Sequence, residues 1–450
     1  MAITIHQSPT NPNMANADLL YEVSSTKATE PQFQFVLDIQ DVNRNTIQRI
    51  KQQPNPSGYG VFNVGRILTS YVSPDPVWKT QQFATSSFAN KQFWAAFGEQ
   101  FGTSASSSIS TYNGINTTPS QAPAKSGSFA LNVTDGLVEP NSGDWNFPSQ
   151  SYYDPQETAV YDTYSFQNAL TNASTTQKIQ DGEYATLSLY NGSFRNDPVF
   201  AQDIAFVLIN VYNAAGSNIQ NYTYENMSPN GGGPRVDMVS HWTAVVDDQT
   251  EGTSLIHVGV GPQNIADNGT PLNDNWAYYT VKFVSMGDDY QENNGGVYAE
   301  FTFQKDTANC DYPGVRFAWK NEFGVWDYYT AKLAENSNVQ IERNSYNASF
   351  VDYSTSGTTV PYNISNRGTT QFVNGLTQRK TVTTDYLNQT DADWLRELFY
   401  STSVYVQEGT DMVPVAVTNA TVTEKTNPRS QKLFTYTFEY EYANQKRARV

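Results

Sequence analysis

Residues 433–442 alternate without a break. Leu433, Thr435, Thr437, Glu439 and Glu441 take one side, and Phe434, Tyr436, Phe438, Tyr440 and Tyr442 take the other. Successive side chains of a strand point to opposite faces, so this segment reads as a strand with one almost wholly aromatic face. Such a face has to be covered. The composition extends the point to the whole chain. Aromatic residues make up 14%, with 29 Tyr and 24 Phe, while charged residues make up only 16%. Disordered chains have few aromatics and many charges, so disorder is excluded as a description of the whole. Tyr, Phe, Val and Thr suit a pleated, half-buried surface.

Short strands with turn clusters between them recur along the sequence. Candidates are Phe33–Ile39, Ala185–Tyr190, Ile204–Tyr212, Met238–Val246, Ser254–Val260, Trp276–Val284 and Val297–Phe303. The last third adds Val315–Trp319, Trp326–Lys332, Val339–Glu342, Thr369–Thr383, Val404–Gln407, Val413–Thr418 and Leu433–Tyr442. Turn clusters such as Asn230-Gly231-Gly232-Gly233-Pro234, Asp267-Asn268-Gly269 and Asn293-Asn294-Gly295-Gly296 separate them. In Phe33–Ile39, Phe33, Phe35, Leu37 and Ile39 share one face against Gln34, Val36 and Asp38, the pattern of a half-buried strand. Helical spacing occurs in two places. Val64, Ile67, Leu68 and Tyr71 suggest a short helix within Val61–Val72. Trp394, Leu395, Leu398 and Phe399 suggest another near 390–400, with Thr390 as N-cap and Asp391 and Asp393 in its first turn. Long helices do not alternate with the strands, which argues against a parallel βαβ sheet. The expected fold is mainly β, with several antiparallel sandwich-like or barrel-like domains and a few short helices.

A chain of 450 residues suggests about three domains. The composition divides it further into an N-terminal β domain (1–100), a loop-rich linker or arm (101–184), a central β-sandwich (185–305) and a C-terminal β domain (306–450). Residues 101–126 are rich in Ser, Thr, Gly, Ala and Pro and read as a linker, a long surface loop, or an arm ordered by a neighbour.

Charge and motif content exclude several functions. Lys and Arg total 27 against 44 Asp and Glu, a net charge of -17, which argues against a nucleic-acid partner. No run approaches 18 apolar residues, and Met1–Thr10 lacks the basic and apolar regions of a signal peptide, so neither a membrane span nor general secretion is expected. The one cysteine, Cys310, excludes an intrachain disulfide and a thiolate metal cluster. Histidines are limited to His6, His241 and His257, and strand histidines such as the last two are more often structural than catalytic. Nucleophile-elbow, zincin and P-loop motifs are absent from the sequence. The acidic pairs Asp247-Asp248, Asp288-Asp289 and Asp391/Asp393 could supply a glycosidase, but turn and cap chemistry explain them. The same holds for calcium, whose candidate loops are Asp267-Asn268-Gly269-Thr270 with Asp274, and Asp288-Asp289 with Glu292. No cofactor is therefore expected. Sequons beginning at Asn191, Asn221 and Asn347 follow from an Asn/Ser/Thr-rich composition.

The remaining candidates are aromatic. Trp276, Tyr278, Trp326, Tyr328, Tyr436 and Tyr440 are the residues expected in strand cores or subunit interfaces, or as platforms for stacking a sugar. A chain of this charge should keep its interfaces neutral and rich in Asn and Tyr.

Five passages carry a resemblance. They are Tyr21–Lys27 with Pro31–Ile39; Pro54-Asn55-Pro56-Ser57-Gly58-Tyr59-Gly60 running into Val64; Val315–Tyr328 with its Asn321-Glu322-Phe323-Gly324 turn; Asp393–Leu398 with Ser403–Val406; and Leu433–Ala443. Together they resemble virion structural proteins of tailed bacteriophages and related prophages. The likeness covers both ends and the hairpin, and residues 75–310 lie outside it. It implies a particle component of the tail, neck or baseplate, made in the host cytoplasm, present in several copies and working with other virion proteins. It carries over no catalytic residue. In the hairpin, Asn321 and Gly324 fit a tight turn, because both tolerate positive φ. A receptor- or glycan-binding fibre protein, with a host-surface glycan as partner, is the alternative. A polysaccharide hydrolase is the third reading.

Overall fold

The computed structural model describes residues 3–9, 13–41, 45–86, 88–102, 111–113, 128–134, 169–191, 204–225, 254–285, 297–306, 314–332, 334–347, 368–418, 435–443 and 446–448. The chain is mainly β, with 54% strand and 9% helix in several antiparallel sheets and a few short helices. The expected strand Met238–Val246, most of 101–126, the pairs Asp247-Asp248 and Asp288-Asp289, and Cys310 lie outside the described residues.

The chain divides into two compact units. The first holds residues 1–307 and 320–327, the second 308–319 and 328–450. In the first unit, strands Ile3–Gln7, Leu20–Ser25 and Tyr59–Asn63 form a three-stranded sheet. A six-stranded sheet runs Asn13–Met14, Ser128–Thr134, Asn90–Phe101, Gln34–Gln40 and Thr46–Gln52, with Thr111–Asn113 beside Asn90–Phe101. A five-stranded sheet runs Thr176–Ile179, Val297–Lys305, Tyr278–Ser285, Ile204–Tyr212 and Asn218–Glu225. The last sheet explains why the unit extends past residue 100. Its three strands, Thr186–Asn191, Ser254–Gly259 and Phe83–Thr85, join residues of the first and third sequence segments by backbone pairing.

Strand Gln34–Gln40 is buried more completely than its alternation suggests. It lies between Asn90–Phe101 and Thr46–Gln52, so it is a central strand. Phe35, Leu37 and Ile39 join the core cluster of this region, but Val36 and Asp38 on the other face are equally inaccessible. A buried carboxylate needs a partner. Arg49 stands directly opposite Asp38 across the strand pair, and its Nε and a terminal nitrogen donate to the two carboxylate oxygens, both at 2.6 Å. Removing one half of a buried pair strands the other charge. Arg49→Ala is therefore expected to destabilise the first unit by about 3 kcal/mol, read as a shift of the urea midpoint. The low end of the range applies because the Arg49 side chain is 33% exposed.

The helix expected within 61–72 is shorter than its spacing suggests. Residues 59–63 complete a strand, Gly65–Leu68 makes one α turn, and Thr69–Tyr71 is 3-10. Gly65 sits where a Cβ would lie 2.3 Å from the carbonyl oxygen of Ala17. A side chain at this position would force the 15–17 backbone to move.

The described strands of the second unit lie in one eight-stranded sheet. Its order is Trp326–Ala331, Val315–Lys320, Val404–Glu408, Asp411–Val417, Thr437–Tyr442, Thr369–Thr383 and Ala334–Asn347, with Lys446–Ala448 also paired to Thr369–Thr383. The helix near 390 begins earlier than expected, at Gln389–Leu395, and continues as Glu397–Tyr400. Its cap is Asn388, not Thr390: the Asn388 side-chain oxygen accepts the Asp391 backbone N–H at 2.8 Å. Thr390 is already inside the first turn. Asn388→Ala is expected to cost about 1 kcal/mol, measured by thermal unfolding.

Candidate functional site

Three arrangements could carry function. The first is a buried polar cluster in the first unit. Asp75 lies on the segment before strand Phe83–Thr85, Ser188 on Thr186–Asn191 and His257 on Ser254–Gly259. The Ser188 hydroxyl is 2.7 Å from His257 Nδ1. On the other side of the ring, Nε2 is 3.4 Å from an Asp75 carboxylate oxygen, an electrostatic contact rather than a hydrogen bond. Asp75 is held independently. It accepts from the Ser86 hydroxyl at 2.5 Å and from the backbone N–H groups of Phe88 and Ala89 at 2.7 and 3.0 Å. These residue types are those of a nucleophile, base and acid. However, Ser188 and His257 are 3% and 1% exposed, and Asp75 3%. The hydroxyl thus faces the protein interior, and the cluster ties a loop to two strands. No local motif announced it, because its members are separated by about a hundred residues or more in one case and by roughly seventy in the other.

A second tie lies nearby. Asn264 is fully buried and uses its whole amide: Nδ2 donates to the carbonyls of Trp78 and Thr80 at 2.7 and 2.8 Å, and Oδ1 accepts from the Ala185 N–H at 2.9 Å. The neighbouring calcium candidate, Asp267, has both carboxylate oxygens engaged by protein donors, the Tyr184 hydroxyl at 2.9 Å and the Gln263 amide at 2.7 Å. Its loop closes at Gly269, with φ +105.

The aromatic candidates are distributed differently from a binding surface. Trp276 is 3% exposed, with its indole N–H on Asp181 at 2.7 Å and the Lys305 ammonium 4.8 Å from its ring centre. Trp326 is equally buried. Its N–H donates to the Asp75 carbonyl at 2.5 Å, and its ring meets Trp78 edge-on at 5.5 Å. Tyr328 is buried against the Arg316 guanidinium, and Tyr440 against Phe317. Only Tyr278 and Tyr436 are half-buried. Tyr278 stacks on Tyr212 at 4.8 Å, and Tyr436 packs edge-on against Phe399. The chain thus uses these rings to cover one another. The aromatic face of the closing strand is likewise covered from within its own unit, with Phe438 packed on Phe317 and Phe399. Burial pushes the Tyr329 phenol well above its usual range, with the Asp385 charge adding to the rise. It raises Tyr222 to about 12.

The expected tight turn forms at the hairpin, with the Gly324 N–H on the Asn321 carbonyl at 3.1 Å. Gly324 takes positive φ (+82), but Asn321 acts through its side chain. Its Oδ1 accepts from the N–H groups of Phe323 and Val325, and its Nδ2 donates to the Leu170 carbonyl at 2.7 Å. Phe323 and Val325 then join Ala89, Leu170 and Leu255 in a small apolar cluster.

The third arrangement is a surface. Strand Ala334–Asn347, 14 residues long, is the terminal strand of the second unit's sheet and pairs with Thr369–Thr383 on one side. Positions 336–347 are exposed on both faces. Val339, Ile341 and Tyr346 stand out at 52%, 49% and 51% exposure. Only Val339–Glu342 was legible as strand, since the flanking Asn and Ser residues have little strand preference. His6, by contrast, bonds Ser24 at 2.7 Å and packs against Tyr59, and His241 lies outside the described residues.

Among the described residues no helix is long and apolar enough to cross a membrane, and no group of three or more His, Cys, Asp or Glu is placed to hold a metal ion. No family model matches the chain, and no curated protein matches it.

Proposed function

We propose that this chain is a non-enzymatic structural subunit of a tailed-phage virion, in the tail, neck or baseplate region, acting through contacts with copies of itself and with other virion proteins. One observation carries the reading: among the described residues, strand Ala334–Asn347 is paired on one side only, which leaves a hydrogen-bonding edge about 48 Å long, at ~3.4 Å per residue. Proteins that act alone keep such edges short, charged, interrupted by proline or covered. This one carries three exposed apolar side chains and no proline. Its composition, with four Asn and two Glu against one Arg, is the near-neutral, Asn-rich surface expected of an interface in a chain of net charge -17. The resemblance of both chain ends and the hairpin to virion proteins points the same way.

The glycan-binding alternative loses its main support, because the Trp276 and Trp326 rings are packed inside the chain. The test is incorporation. Mass spectrometry and negative-stain imaging of purified particles should find the chain at a fixed stoichiometry. A strict monomer that never enters a particle would end the proposal.

A further inference from the structure

We propose that the outer ribbon strand, Ala334–Asn347, pairs antiparallel with the same strand of a second copy, about a two-fold axis through residue 340. This rests on the assembly reading and names the surface that reading requires. The strand is hydrogen-bonded on one side only among the described residues, and it alternates evenly along its length, the extra residue of the ribbon lying on Thr369–Thr383. Two antiparallel strands related by symmetry must have their axis perpendicular to the sheet, which keeps every side chain on its own face. Each residue then meets one of the same parity.

The strand's own sequence selects among the registers. An axis through 342 sets Glu342 against itself, and one through 343 does the same with Arg343. Like charges directly opposite are destabilising. An axis through 341 places Val339 against Arg343, and one through 339 places Ile341 against Ser337. The axis through 340 instead sets Val339 of each copy directly against Ile341 of the other. The four β-branched side chains, each about half exposed in the single chain, form one apolar patch across the junction. On the opposite face Gln340 meets Gln340, and Glu342 meets Asn338. Charged residues meet only polar ones, Arg343 standing opposite Ser337. A copy of this chain is therefore a partner whose strand matches this edge in length, polarity and apolar spacing. Such an isologous contact closes after two copies and leaves no further edge open on this ribbon.

Sedimentation equilibrium on the full chain across a concentration series tests the pairing. The expected result is a reversible dimer. Val339→Lys combined with Ile341→Lys sets like charges opposite each other at two points, and should weaken dimerisation about 100-fold or more. Both sites are exposed, so the thermal midpoint of the monomer should hold. The register is tested separately in a Cys310→Ser background. Gln340→Cys should give a covalent dimer with a short bis-maleimide. Ser345→Cys should not, since the two copies of position 345 lie about 34 Å apart in this register. A dimer that survives the double lysine change without linking at 340 overturns the pairing and leaves the assembly reading standing. A chain that is monomeric throughout also overturns it, and particle incorporation then judges the assembly reading on its own.

Discussion

Asp75→Ala will destabilise the first unit by about 3–5 kcal/mol, a large part of the 5–15 kcal/mol typical of a folded domain. The carboxylate is buried and accepts three hydrogen bonds, from Ser86 and the backbone of Phe88 and Ala89, beside the His257 ring. Truncation takes the acceptor away from those donors, of which the Ala89 N–H is buried and the other two part-buried, and each bond to a charged acceptor contributes about 1.5–3 kcal/mol. Part of that loss is offset, because the variant no longer has to desolvate a carboxylate. Asp75→Asn should fall between, since its amide keeps one acceptor oxygen but turns a second donor toward groups that already donate. Urea denaturation gives the size. Amide hydrogen exchange gives the place, with protection lost first at Phe88 and Ala89. A loss below ~1 kcal/mol would mean that the cluster does not hold the loop to the strands.

Trp326→Ala will cost a similar amount, about 3–5 kcal/mol. The ring is 3% exposed, meets Trp78 edge-on, and its N–H closes a bond to the Asp75 carbonyl. Trp326→Phe keeps most of the volume and loses the bond, so it should cost about 1–2 kcal/mol. The order Ala worse than Phe distinguishes a packing role from a binding one. A sugar-stacking tryptophan would instead tolerate both changes in stability and lose ligand affinity. The bond is to the Asp75 backbone, which Asp75→Ala retains, yet the two sites are close. Their double variant should therefore depart from additivity.

The strands were the most legible part of this chain. Ile204–Tyr212 and Thr369–Thr383 occupy the residues their alternation marks, and Val404–Glu408 differs by one residue at its end. Period two is a local property, and so are the turns at Gly269 and Gly324. Sequence and structure part where a neighbour distant in sequence decides. Gln34–Gln40 alternates as a half-buried strand does, but neighbouring strands on both sides and the Arg49 guanidinium let it bury Asp38 as well. By its type Asn321 is a residue tolerant of positive φ. It is buried instead, because Leu170, 151 residues away, supplies the acceptor for its amide. The cluster of Asp75, Ser188 and His257 had no sequence signal at all, since two strands and a loop far apart in sequence had to meet before its members could.

The amino-acid order alone determined that this is a β protein with short helices, for a simple reason: alternation, turn residues and β-branched content act over a few neighbouring positions. Which aromatic rings are consumed in the core was decided by tertiary packing. Trp276, Trp326 and Tyr440 read the same in sequence whether they meet their own chain, a sugar or another subunit. The same packing decided which strand is last in its sheet among the described residues. Ala334–Asn347 is exposed because, among the described residues, it is the last strand of its sheet and pairs on one side only.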